Sequence, residues 1–215
     1  MAAVGLLYVG AVLFVNGVML LGRVDARAAA VLNLFVGGLQ VITPTYLIFT
    51  AGGDTAAILS ASGIYLFGFT YLYVGVGTLA GLDGTGVGWF SLFVSVIAVA
   101  YSAINFTVLG SPSFGVIWLY WAFLWSLFFL LLGLKRERLT AYTGWVTAIQ
   151  GWVTAAVPAL LVMTGNFGHE GPQAVVLAVL GVVVFAGLWP LTRRRTESKG
   201  ETPCDTETSA AATTA

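Results

Sequence analysis

The sequence predicts an all-α integral membrane protein: a six-helix bundle with a seventh, peripheral transmembrane helix. Three observations carry that reading. The 215-residue chain is 59% hydrophobic and only 8% charged, against about 25% charged in a typical soluble domain, so it cannot furnish a polar surface. Its apolar residues fall into seven runs, each close to the ~20 residues that a helix needs to cross a bilayer. With seven alternating crossings, all nine Lys and Arg residues fall on one side of the membrane.

The spans follow in order. The opening stretch MAAVGLLYVG lacks a basic leader and its first cation is Arg23, so it reads as a span and not as a cleaved signal. Span one, 3–22, carries Leu6, Val9, Leu13 and Asn16 on one face. Span two, 28–51, gathers Asn33, Gly37, Gln40, Thr43 and Pro44 at helical spacing. The break AGGDT supplies Asp54 as an N-cap for span three. Span three, 55–80, carries Phe67, Thr70 and Tyr71, and span four, 86–109, lines up Ser91, Ser95, Ser102 and Asn105. Span six, 141–164, lines up Thr143, Thr147, Gln150, Thr154 and Pro158. Gly5, Gly10, Gly17, Gly37, Gly38, Gly68 and Gly88 read as positions of close helix packing.

Span five, 113–134, contains WLYWAFLW. Phe114, Trp118, Trp121 and Trp125 lie within about 60° of helical arc, and the rise from Trp118 to Trp125 is roughly 10 Å. Aromatic belts gather at one depth near the headgroups. This ladder instead reaches the bilayer centre, which leaves a bundle core or a pore wall. Counting depth in the same way puts Leu13, Phe67, Trp125 and Gln150 in one mid-membrane layer. Span seven, 172–191, offers no polar side chain after Gln173 except indole, and is therefore expected at the periphery. The Ser, Thr and Asn stripes have two readings: glue between helices, or the lining of a polar path.

The expected organisation is a six-helix domain over 1–164, an additional helix over 165–192 and a disordered tail over 193–215, rich in Thr, Glu and Ala. The cation pattern orients the chain with its N-terminus outside and its C-terminus in the cytoplasm.

Little chemistry is available inside. The only histidine is His169, in an outer loop, and the only cysteine is Cys204, in the tail. No HExxH, carboxylate pair or Ser–His arrangement is present, so neither an enzyme, a metal site nor a cofactor is expected. No basic patch with interleaved aromatics suggests nucleic acid. Ion pumps carry ionisable groups at mid-membrane, and ion channels use charged rings or carbonyl filters; the spans supply neither. An uncharged bundle, narrowed by aromatics and lined by amides and hydroxyls, suits small neutral polar molecules.

LLYVGAVLFVNG (6–17), NLFVGGLQ (33–40), LFGFTYLY (66–73), WFSLFV (89–94) and WLYWAFLW (118–125) resemble the AmiS/UreI family over about residues 4–164. The resemblance implies a pore-forming six-helix bundle in the plasma membrane, one pore per protomer, in a homohexamer. It implies constrictions at Leu6, Val9, Leu13, Phe67, Tyr71, Trp118, Trp121, Leu124 and Trp125, with Asn16 and Gln150 as candidate polar groups in the pore. Phe114 and Gln150 stand where urea-channel members have another tryptophan and a glutamate. Acid-gated members carry a long histidine-rich loop where this chain has only AGGDT. The expectation is thus a passive channel for urea and short aliphatic amides such as acetamide, without acid gating. Its alternatives are a proton-coupled transporter of the same solutes and a non-conducting membrane subunit.

Overall fold

The computed structural model describes residues 2–168 and 170–200, with residues 170 and 191–200 described as backbone only. His169, Cys204 and the end of the tail lie outside the described residues. The helices are α1 (Ala2–Leu20), α2 (Ala26–Thr50), α3 (Thr55–Ser62), α4 (Ile64–Ala80), α5 (Thr85–Thr107), α6 (Pro112–Phe128), α7 (Thr140–Gln150), α8 (Val157–Met163) and α9 (Glu170–Gly200). They make seven crossings long and apolar enough for a bilayer, and the described residues contain no strand. α3 and α4 together make the third crossing. α6 with a wide π turn at Phe129–Gly133 makes the fifth, and α7, a second π turn at Gly151–Ala156 and α8 make the sixth.

Local chemistry sets these boundaries. Asp54 caps α3 as expected, its carboxylate accepting from the backbone N–H of Ala56 at 2.9 Å and of Ala57 at 3.3 Å. Asp25 caps α2 in the same way. Gly81 closes α4 in the left-handed conformation, at φ 68°, where a side chain would be strained. Pro158 stands two residues after the second π turn. It has no N–H to give and would crowd the carbonyl of Thr154, so the regular ladder has to be interrupted in this stretch.

In a bilayer, lipid tails are as apolar as leucine, so close van der Waals contact replaces hydrophobic burial as the force between helices. α1 shows how close the approach is. A Cβ added at Gly10 would sit 2.6 Å from the Gly151 carbonyl oxygen and 2.8 Å from the Ala156 nitrogen, both in the π turn. Gly38, also expected at a close contact, faces open space instead. The other principal pairings are α2 against α4 and α5 against α6.

The last crossing leans on α6 and α7. The Tyr120 hydroxyl donates to the Leu177 carbonyl at 2.6 Å and the Tyr142 hydroxyl to the Phe185 carbonyl at 3.0 Å. The Phe185 ring stands 4.6 Å from Phe123 and 5.1 Å from Tyr120. Most of the other side chains over residues 171–190 are exposed within the single chain. Its helical backbone runs on to Gly200, past the expected boundary at 192 and into a segment expected to be disordered. The Arg, Glu and Lys residues there are good helix formers, so nothing local stops the helix.

Two outcomes follow from this packing. Gly10→Val should cost about 1–3 kcal/mol of stability through overpacking, read as a lowered Tm in detergent; an unchanged Tm would mean that α1 does not rest on the π turn. Replacing both Tyr120 and Tyr142 by Phe should cost about 1 kcal/mol per lost hydrogen bond. Hydrogen exchange should then rise in α9 and stay unchanged in α1–α5.

Candidate functional site

The ladder on α6 meets α4 at one ring. Phe67 stands with its centroid 4.7 Å from Trp121 at 81° and 4.8 Å from Trp125 at 61°. Both are edge-to-face arrangements, in which the positive edge of one ring meets the negative face of the other. Trp118 stands 4.9 Å from Trp121 at 83° and 6.0 Å from Phe67. On its far side Trp118 stacks nearly parallel on Tyr101 of α5, at 4.6 Å and 18°. Trp118 reaches that place because Gly63, between α3 and α4, carries no side chain; a Cβ there would lie 2.9 Å from the indole.

Below this ring stack lies a cavity of about 170 Å³. It runs from Leu13, Phe67, Trp121 and Trp125 to the Leu82–Gly84 turn, at the end of the bundle that also carries Lys135. Its walls are mainly apolar: Met19, Leu20, Val74, Leu124, Phe128 and Leu132 continue the faces that begin at the stack. The polar atoms are few. Asn16 lines the cavity but is locked to Asn33 by a reciprocal amide pair at 2.9 and 2.7 Å. Thr70 and Ser91 also line it, and each spends its hydroxyl proton on its own helix, at 2.6 Å to the Leu66 carbonyl and 2.7 Å to the Val87 carbonyl. Their oxygens keep acceptor capacity. Tyr71 is 3% exposed and its hydroxyl has no protein partner among the described residues.

At the rim, Asp83 binds Lys135 at 2.7 Å and accepts from the Thr85 N–H at 2.8 Å and from the Thr85 hydroxyl. The Lys135 and Thr85 hydrogen bonds hold this carboxyl well below the usual carboxylate range. Asp83 is the one charged residue in the cavity lining among the described residues.

The structure gathers most of the expected constriction residues, though not all at the cavity. Leu13, Asn16, Phe67, Tyr71, Trp121, Leu124 and Trp125 line it. Trp118 sits above it in the ring stack. Val9 is buried in the core, and Leu6 is half-buried against that core. Gln150, expected as a polar group of the pore, is instead fully buried behind α6, where it donates to the Tyr120 carbonyl at 3.1 Å. Depth counting places a residue along the bilayer normal but does not say which neighbour it turns toward. Tyr101 was missed, and it carries no pattern that would have found it. The lower wall was legible in principle: Leu20, Val74, Phe128 and Leu132 extend the Leu13–Asn16, Phe67–Tyr71 and Trp121–Trp125 faces by further helical turns.

The comparisons with known proteins agree with this architecture. The profile of the AmiS/UreI family transporters matches residues 1–166. The chain is 57% identical to a "Putative transporter protein AmiS2" of Rhodococcus erythropolis over 188 residues, 87% of this chain and 91% of that relative. It is 35% identical to the acid-activated urea channel of Helicobacter pylori over 185 residues, 73% of this chain and 94% of the relative. Its fold is similar to the crystal structure of the Helicobacter pylori urea channel, with a TM-score of 0.68 and 36% identity over 77% of this chain and 99% of that one. With its matched segment, its seven apolar crossings and its aromatic stack, the chain belongs to the AmiS/UreI family of transporters.

Proposed function

We propose that this protein is a passive channel of the plasma membrane for short-chain aliphatic amides and urea. The observation that carries this reading is the cavity itself, apolar-walled, sparsely hydroxylated and ending at the Phe67–Trp121–Trp125 contact. A neutral planar amide can present its flat face to the rings and its polar edge to Tyr71, Thr70 and Ser91. At the ring stack, away from Asp83 at the rim, an ion would have to shed its hydration with no charge or carbonyl ring to replace it. The sparse polar groups suit passage, because a site that binds tightly does not release.

The names of the relatives support the substrate class, and the cavity lies within one chain, which supports one path per protomer. The family resemblance supports a homohexamer with α9 outside the six-helix unit. The Arg and Lys distribution supports a cytoplasmic position for the Asp83 end. One observation favours a second reading. The cavity reaches one end of the bundle and stops at the ring stack, as it would in one state of an alternating-access, proton-coupled transporter.

Acid gating is not part of the proposal. The outer connection at Ala51–Asp54 is short. At the other rim, Asp83 has a folded-state pKa below its unfolded one. The stability it lends is present above the unfolded pKa and is lost only as pH falls through the depressed value. Asp83 thus stays ionised across the mildly acidic range.

Stopped-flow uptake into proteoliposomes tests these statements. Urea and acetamide should enter without saturating, at similar rates at about pH 5 and about pH 7.5, both above the ordinary carboxylate range. No uptake from folded protein would sink the channel reading. Accumulation driven by a proton gradient would move it to the coupled transporter. Trp121→Ala should change the acetamide-to-urea permeability ratio while oligomeric assembly is retained. An unchanged ratio would remove the indole from the path.

A further inference from the structure

Three indoles line one face of α6, and each could turn about its side-chain torsions if nothing held it. Trp118 is held by its stack on Tyr101, and Trp125 by Phe67. Trp121 sits between them, edge-on to both Phe67 and Trp118. Its indole N–H donates to the Thr154 hydroxyl oxygen at 3.0 Å. It is the one ladder indole whose N–H is hydrogen-bonded among the described residues.

Thr154 is fully buried, and its own proton is already committed to the Gln150 carbonyl at 2.7 Å. A hydroxyl has one proton to give, so what remains toward Trp121 is a lone pair. That fixes the direction of the bond and hence the face that the indole shows to the path. The same segment grips α6 a second time, one residue earlier, through the Gln150 amide on the Tyr120 carbonyl at 3.1 Å. Two successive residues of α6 are therefore clamped from the sixth crossing. The clamp is seated in the π turn Gly151–Ala156, against which α1 rests at Gly10. π turns interrupt helices at functional places more often than by chance, and this one lies directly behind the ring stack.

We propose that Thr154 is a positioning residue for the aromatic slot: by accepting the Trp121 N–H it sets the indole's orientation against Phe67, and through that orientation it selects among planar neutral solutes. This inference rests on the reading that the path runs past Trp121. A hydrogen bond that served only to join helices would contribute stability and leave selectivity alone.

The test uses full-length protein labelled with 5-fluorotryptophan, the Trp121 resonance being assigned with Trp121→Phe. Thr154→Val removes the hydroxyl at nearly constant shape, Thr154→Ala removes it with a smaller side chain, and Thr154→Ser retains it. Each is reconstituted in proteoliposomes and measured for urea and acetamide permeability and by ¹⁹F NMR. The expected result is a Trp121 resonance displaced in Thr154→Val and Thr154→Ala. The acetamide-to-urea ratio should change by about threefold or more in both, the fold-change that a hydrogen-bond-sized difference corresponds to. Thr154→Ser should restore both readouts. A displaced resonance with an unchanged ratio would overturn the proposal while leaving the channel reading intact, and so would an undisplaced resonance. Wild-type protein that is folded but passes neither solute would overturn both. If Thr154→Val fails to fold, Thr154→Ala against Thr154→Ser carries the same comparison.

Discussion

Inside a bilayer, a hydroxyl or amide that finds no partner within the protein has none from the solvent, and this constraint orders the whole bundle. The polar stripes show how it is met. Ser95 donates to the Ala122 carbonyl and Ser102 to the Gly115 carbonyl, both joining α5 to α6. Asn16 and Asn33 close on each other and join α1 to α2. Thr154 and Gln150 join the sixth crossing to α6. Many of the buried polar side chains are consumed in holding helices together, others such as Thr70 and Ser91 bond their own helix, and the cavity is left with few. The sparse lining of the path and the cohesion of the bundle are thus one allocation of the same residues.

The second determinant is how near the backbones come. Where side chains are reduced to hydrogen, as at Gly10 and Gly151, α1 lies against the π turn at carbonyl contact. That proximity keeps Leu13 beside the ring stack. Bulky residues of α4 and α6 meet at the ring stack, while other aromatic pairs pack the last crossing against α6 and α7.

Much of this was legible in the sequence. Composition, run length and the one-sided cations specify seven crossings, because crossing a bilayer imposes a length and a polarity that few other demands mimic. The indole ladder was legible because helical spacing places Trp118, Trp121 and Trp125 on one face. The direction in which Gln150 turns was not. Periodicity gives the face of a helix but not the neighbour that face meets. Tyr101 escaped because it meets Trp118 beside Gly63, where a Cβ would crowd both rings, and a glycine in an apolar run does not announce which rings it makes room for. The helical backbone of α9 continues to Gly200, past the boundary expected at 192, because the length of an apolar run locates the span and not the end of the helix.

The unpartnered hydroxyl of Tyr71 has a consequence for the free-energy profile along the cavity. Its oxygen is closed to water and bonded to no protein group among the described residues, so in the proposed channel a local shift of the wall is what brings it to water or to a solute carbonyl. A carbonyl arriving there exchanges places with water at the same donor, one hydrogen bond for another, with little net change. In the proposed channel the exchange would flatten the profile at the depth where a solute has just left most of its hydration behind. A hydrocarbon of the same size makes no such exchange and leaves the hydroxyl bare, at the cost of an unsatisfied buried donor. In the proposed channel, one phenol would thus distinguish a solute that brings its own acceptor from one that is merely small enough to fit.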